Sequence, residues 1–150
     1  MTLETGDGAP TVEAKNQRGE TVALDFDEPT VVYFYPRDDT PGCTVEAEQF
    51  DAELETYRDA DVAVYGVSTD DVESHEAFAE KYDLGFDLLA DPDAEIADAF
   101  GVDTSRGAAA RTTFVLADGE VRAVYGGVDP DGHARDVLGD MLDDGLVALE

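Results

Sequence analysis

One side chain in this 150-residue chain could act as a strong nucleophile near neutral pH: Cys43, the only cysteine. It stands in the string YFYPRDDTPGCTVEAEQF, directly after Thr40, Pro41 and Gly42. A thiol attacks as its thiolate, and an ordinary cysteine, with a pKa of roughly 8.5, is only a few per cent ionised at neutral pH. The neighbours of Cys43 favour the anion. Thr40 is a good helix N-cap, Pro41 suits the first helical position and Gly42 removes bulk. Cys43 then falls in the first turn, where unpaired N–H groups and the positive end of the helix dipole attract negative charge. A nearby cation would strengthen the effect. The competing reading is inert packing, because free cysteine is among the most buried residue types and Cys43 shares an apolar stripe with Ala47, Phe50, Leu54 and Tyr57.

The elements that must position this thiol can be read outward from it. The run TVVYFY after Pro29 is apolar, β-branched and aromatic, the pattern of a buried central strand. From Cys43 the apolar residues recur at intervals of four, three, four and three, one face of a helix, so strand gives way to helix within about eight residues. DVAVYGVS reads as the next strand, DVESHEAFAEKY as a helix, FDLLA as a short strand and DPDAEIADAF as a short helix with Pro92 in its first turn. Upstream, TVEAKNQRGETVAL suggests an opening hairpin around Asn16–Gly19. Downstream, RTTFVLADGEVRAVYGG suggests a second hairpin across Asp118-Gly119, and a last helix buries Ala134, Val137, Leu138, Met141 and Leu142. The order predicts a single α/β domain over 1–150, with a mixed sheet flanked by helices and an N-terminal β-hairpin.

Composition excludes several partners. Nine basic against 37 acidic residues give a formal charge of −28, scattered along the chain, which argues against nucleic acid or an anionic membrane. Two lysines beside seven arginines strengthen the picture of an acidic, solvated surface suited to molar salt, where the Debye length falls to about 3 Å. An acidic mimic of nucleic acid, or a metal buffer, is the alternative reading. The N-terminal residues MTLETGDGAP have neither a basic stretch nor an apolar one, and no run is long enough to span a bilayer, so a cytoplasmic protein is expected. A single cysteine rules out an intrachain disulfide.

Pro36, Thr40 and Cys43 reproduce the Pro-x-x-x-Thr-x-x-Cys motif of peroxiredoxins, and the longer string resembles the bacterioferritin-comigratory-protein, or Q-type, branch. The similarity extends over GDGAPTVEAKNQRGETVAL, VYGVSTDDVESHEAFAEKY, LLADPDAEIADAFGV and RTTFVLADGEV. The resemblance implies a thioredoxin-like fold and thiol-dependent reduction of hydrogen peroxide and organic hydroperoxides, without a cofactor or metal. It makes Cys43 the nucleophile and Arg111 its cation. Thr40, Gly42, Cys43 and Arg111 are then the substrate-binding residues, and Pro36 shields the sulfur. Alone, Arg111 reads equally as a surface arginine at a strand start, and Thr40 as a cap and nothing more.

Many members of that branch carry a resolving cysteine five residues after the first; here that position is Glu48. The resemblance therefore implies a one-cysteine enzyme whose sulfenic acid is reduced by an external thiol, whether a thioredoxin-like protein, a glutaredoxin-like protein or a small thiol. A thioredoxin-fold redox sensor or binding protein that uses Cys43 oxidation as a signal is the alternative. GVDTSRGAAA, ahead of Arg111, is shorter and smaller-residued than its counterpart in the family, which points to a monomer or weak dimer.

Other signals are weaker. Asp91, Asp93 and Glu95 alternate like a calcium loop, but Ile96 stands where an EF-hand needs glycine. His75 and His133 lack partner motifs and read as structural. YGGVDPDG has no phosphate-loop lysine and reads as a turn.

Overall fold

The run predicted to be central is the spine of the molecule. The structure, a computed structural model, describes residues 2–127 and 129–147. Its elements are β1 (Val12–Lys15), β2 (Thr21–Leu24), β3 (Thr30–Phe34), α1 (Pro41–Ala52), α2 (Leu54–Asp59), β4 (Ala63–Ser68), α3 (Val72–Tyr82), β5 (Asp87–Ala90), α4 (Glu95–Phe100), β6 (Thr112–Ala117), β7 (Glu120–Gly126) and α5 (His133–Asp143). One seven-stranded sheet runs in the order β2-β1-β5-β4-β3-β6-β7. β3, β4 and β5 are parallel, while β6 joins β3, and β1 joins β5, antiparallel. The sheet is therefore mixed, as the element order predicts.

Every residue of β3 is buried, because both faces of the sheet are covered. Alternation divides the strand between two cores. Val31, Tyr33 and Tyr35 face a core with α1, α2, α3 and α5, whereas Val32 and Phe34 face a second core closed by α4 and the amino-terminal segment. Tyr33 stacks on Phe50 at 4.6 Å between ring centroids and 11° between planes, fixing α1 on the sheet. Such a pair adds about 0.5–1.5 kcal/mol beyond its area.

The stripe Cys43, Ala47, Phe50, Leu54, Tyr57 is buried throughout, yet it spans two helices, since the chain breaks at Glu53. The second hairpin turns at Asp118 and Gly119 with φ of 55° and 72°, the two left-handed residues a tight hairpin requires. The helix predicted to start at Pro92 starts later. Pro92 lies in a turn, and α4 opens at Glu95, where both carboxylate oxygens of Asp91 accept the N–H groups of Ile96 and Ala97 at 2.9 Å. That capping occupies Asp91, the first residue of the calcium-like pattern. In YGGVDPDG, Val128 lies outside the described residues.

Candidate active site

Strand β3 delivers the chain to the loop Pro36–Asp39, and α1 begins at Pro41 with Thr40 at the N-cap position in extended geometry. Cys43 is in the first turn, as its neighbours predict, and only 1% exposed. The capping hydrogen bond expected of Thr40 is not formed. Its hydroxyl instead donates to the Arg37 carbonyl at 3.0 Å, so the helix start is fixed by Pro41 and backbone geometry. The N–H groups of Gly42 and Cys43 have no intrahelical acceptor, because the carbonyls four residues back lie outside the helix.

Arg111 reaches this turn from the other side of β3. It immediately precedes β6, the antiparallel neighbour of β3, and its guanidinium forks over α1. Nη2 donates to Cys43 Sγ at 3.4 Å and Nη1 to Glu46 Oε1 at 2.7 Å. Gly42 makes room for it, because a β-carbon there would stand 3.2 Å from Nη2 and 3.6 Å from Pro130 Cγ. Four of the five predicted residues, Thr40, Gly42, Cys43 and Arg111, thus meet around one helix turn, and the half-buried Pro36 opens the loop leading to it.

Glu46 is the member of the site that the motif does not mark. Its side chain is fully buried, and Oε2 has no hydrogen-bond partner among the described residues. Burial pushes its carboxyl from the ordinary 4.5 up to about 7, with Arg111 pulling back only in part. On Arg111 burial acts downward, but the charges of Glu46 and Cys43 outweigh it and the guanidinium stays protonated. A single cation therefore serves both a thiol and a carboxyl group. The nearby Tyr33 hydroxyl is also buried without a partner, and burial first, then the charge of Glu46, drives its ionisation well above the usual phenol range.

On the far side of the Pro36–Asp39 loop lies a second polar cluster. Asp38 accepts from Tyr35 at 2.6 Å and from Ser74 at 2.7 Å, and its Oδ2 lies 2.7 Å from His75 Nδ1. Asp70 accepts from the Asp38 backbone N–H at 2.8 Å and from Ser68 at 2.7 Å, and His75 Nε2 meets the Leu89 carbonyl at 3.0 Å. The ligand-type atoms of Asp38, Asp70 and His75 lie within 4.8 Å of one another, close enough for a metal ion. Each is already engaged, however, and an ion would have to displace those bonds. The other histidine, His133, bonds to Thr113 at 2.8 Å and packs edge-on against Phe50 and Tyr125. Glu48 is exposed on the outer face of α1.

The arrangement can stabilise a sulfur anion and, next to it, charge developing on an oxygen. Comparison with known proteins decides the family: the AhpC/TSA family model matches residues 5–124. The chain belongs to the AhpC/TSA family. Among its peroxiredoxin relatives is the chloroplastic peroxiredoxin Q of Populus jackii, 40% identical over 142 residues covering 91% of this chain and 67% of that one. Its fold is that of the peroxidoxin BcpB of Mycobacterium tuberculosis, with a TM-score of 0.88 and 33% identity over 94% of this chain and 97% of that one. The Xanthomonas campestris bacterioferritin comigratory protein, described by its alkyl peroxide reduction activity, aligns with a TM-score of 0.85 and 31% identity over 94% and 99% of the two chains. The thioredoxin-like peroxiredoxin fold and the Bcp/peroxiredoxin Q affinity expected from the motif are both borne out. Among the described residues, no helix of this peroxiredoxin is long and apolar enough to cross a membrane.

Proposed function

We propose that this peroxiredoxin is a thiol peroxidase in which Cys43 reduces hydrogen peroxide and organic hydroperoxides and an external thiol recycles it. The observation that carries the reading is the Arg111 fork, which joins the single thiol to a buried carboxyl group at the start of a helix. The Cys43 thiolate attacks one peroxide oxygen in line with the O–O bond. An S–O bond forms, the O–O bond breaks, sulfur is oxidised to sulfenic acid, and the departing alkoxide or hydroxide takes a proton.

Charge grows on the departing oxygen, so donors must face it. Arg111 and the free N–H groups of Gly42 and Cys43 supply them, and one such preorganised donor is worth about 3–4 kcal/mol in a dry site. Thr40 takes a different part from the donor role its type suggests. With its proton committed to the Arg37 carbonyl, its oxygen offers lone pairs to a peroxide O–H. Pro36, without an N–H, shields the sulfur from water at the loop entrance.

Recycling follows from the composition. With one cysteine in the chain, the sulfenic acid condenses with an external thiol, releasing water and forming a mixed disulfide, and a second thiol frees Cys43. A sulfur 1% exposed admits a small peroxide more easily than a thiol protein, so a large reductant requires the first turn of α1 to open. The sulfenic acid therefore waits, and excess peroxide carries it on to sulfinic acid. Peroxide consumption with dithiothreitol, a thioredoxin and a glutaredoxin tests the whole reading. Wild type is expected to turn over and Cys43→Ser to be inert; full activity in the serine variant, or a single stoichiometric oxidation of wild type with every reductant, would overturn it.

A further inference from the structure

The second cluster stands outside the chemistry just described, and its proton count is informative. His75 Nε2 faces a backbone carbonyl, which only accepts, so that nitrogen carries hydrogen. Nδ1 faces Asp38 Oδ2, which also receives the Ser74 hydroxyl, while Oδ1 receives the Tyr35 hydroxyl. Burial and the Asp38 charge push Tyr35 far above the usual phenol range, so its hydroxyl stays a donor. One proton lies between His75 Nδ1 and Asp38 Oδ2, and it ties the two side chains together across 2.7 Å. The cluster is a hydrogen-bonded His75–Asp38 pair, with His75 fully buried and Asp38 8% exposed. The other charged group facing it is Asp70, bound to the Asp38 backbone N–H.

What the pair holds is the loop ahead of the nucleophile. Pro36–Asp39 is four residues long and ends in a strained conformation, Asp39 at φ 58°. Helix α3 grips it twice, through Ser74 and His75 on Asp38 and through Lys81 and Tyr82 on Asp39, each of the latter contacts at 2.8 Å. The end of the loop sets where the first turn of α1 begins, and hence where Cys43 Sγ lies relative to Arg111, which is fixed independently by β6. We propose that His75, acting through Asp38, is a positioning residue for peroxide reduction: it holds the Pro36–Asp39 loop so that Cys43 is presented to Arg111. The proposal rests on Cys43 being the peroxide nucleophile. A displacement of about 1 Å at a reacting centre can cost up to 10²-fold in rate, so loss of the latch acts on chemistry as well as on stability.

The test is single-turnover oxidation of Cys43 by hydrogen peroxide, followed by quenching and mass spectrometry, well below each variant's melting temperature. His75→Phe keeps the bulk and leaves Asp38 Oδ2 without its ring-nitrogen partner; it is expected to slow oxidation by about tenfold or more. His75→Asn, whose amide N–H can replace Nδ1, is expected to recover most of that loss. A lower melting temperature with an unchanged oxidation rate in His75→Phe would overturn the proposal, because a merely stabilising pair predicts that result. Should His75→Phe fail to fold, Asp38→Asn takes its place with the same expectations. Wild type inert to peroxide would instead refute Cys43 as the nucleophile.

Discussion

Two buried ionic clusters flank the start of α1, and they are built to opposite rules. Around Asp38 both carboxylate oxygens of that residue and both ring nitrogens of His75 have partners, with hydroxyls and a backbone carbonyl filling the rest. Around Arg111 one cation serves two acidic groups, and a carboxylate oxygen goes without a partner. A saturated cluster rigidifies, because every change to it leaves some group worse off. An unsaturated one holds free energy in reserve, and an unpaired buried polar group costs about 1–3 kcal/mol. On the proposed reading, deficiency marks the reactive cluster, and the saturated one holds it in place.

Removing the shared cation tests this contrast most severely. Arg111→Ala is expected to lower the rate of Cys43 oxidation about 10²–10³-fold, the usual cost of losing a preorganised donor. At pH 8 it should also destabilise the fold, since Glu46 loses its only partner among the described residues and must take up a proton to stay buried. Adding Glu46→Gln should restore much of that stability without restoring the rate. Denaturant melts and single-turnover assays on the two variants separate the effects, and equal losses of rate and stability in both would break the contrast.

The proton on Glu46 gives the next effect. Its folded pKa, about 7, lies above the ordinary 4.5 of the unfolded chain, so between those values the native protein holds a proton that the unfolded one has released. Stability should therefore fall as pH rises from about 4.5 to about 7 and level off above, with a contribution on the order of 3 kcal/mol. Urea melts across this range would detect it, and Glu46→Gln should flatten that part of the profile. An unchanged slope in the glutamine variant would assign the effect elsewhere.

Gly42→Ala is a finer probe. The new methyl group would meet Arg111 Nη2 at 3.2 Å and push it by a few tenths of an ångström, while alanine favours the helix by up to about 1 kcal/mol. Severalfold slower oxidation with equal or higher melting temperature is expected. The smallest and most diffuse effect is that of salt. The field of −28 charges opposes a thiolate and is screened by molar salt, whereas the buried contact with Arg111 is not. Activity should rise with salt, and flat or falling activity would refute that balance.

Most of the fold was legible in the sequence, because strand and helix periodicities act locally. Thr30–Phe34 had to be central, since a run apolar on both faces has no other place, and the stripe from Cys43 to Tyr57 had to face it. What could not be read was set by distance in the chain. Asp38 meets His75 across 37 residues from inside an irregular loop, where no period marks it. Pro92 carried a local helix-start signal, but Asp91 satisfied the N–H groups of α4 further on. Glu46 did leave a trace: it lies three residues after Cys43, on the same helical face, and an acid on an apolar stripe needs a partner. Thr40 illustrates the opposite limit, for its type fixed its position while the Arg37 carbonyl determined what its hydroxyl does.

The outward position of Glu48 has a use in engineering. Five helical residues turn the chain by about 500°, which leaves side chains 43 and 48 about 140° apart around α1. A thiol installed by Glu48→Cys would disturb no packing, yet it could not reach Cys43 while the helix stayed wound. Crosslinking between the two would then clock the unwinding of α1, turning a surface position into a strain gauge for the helix that carries Cys43.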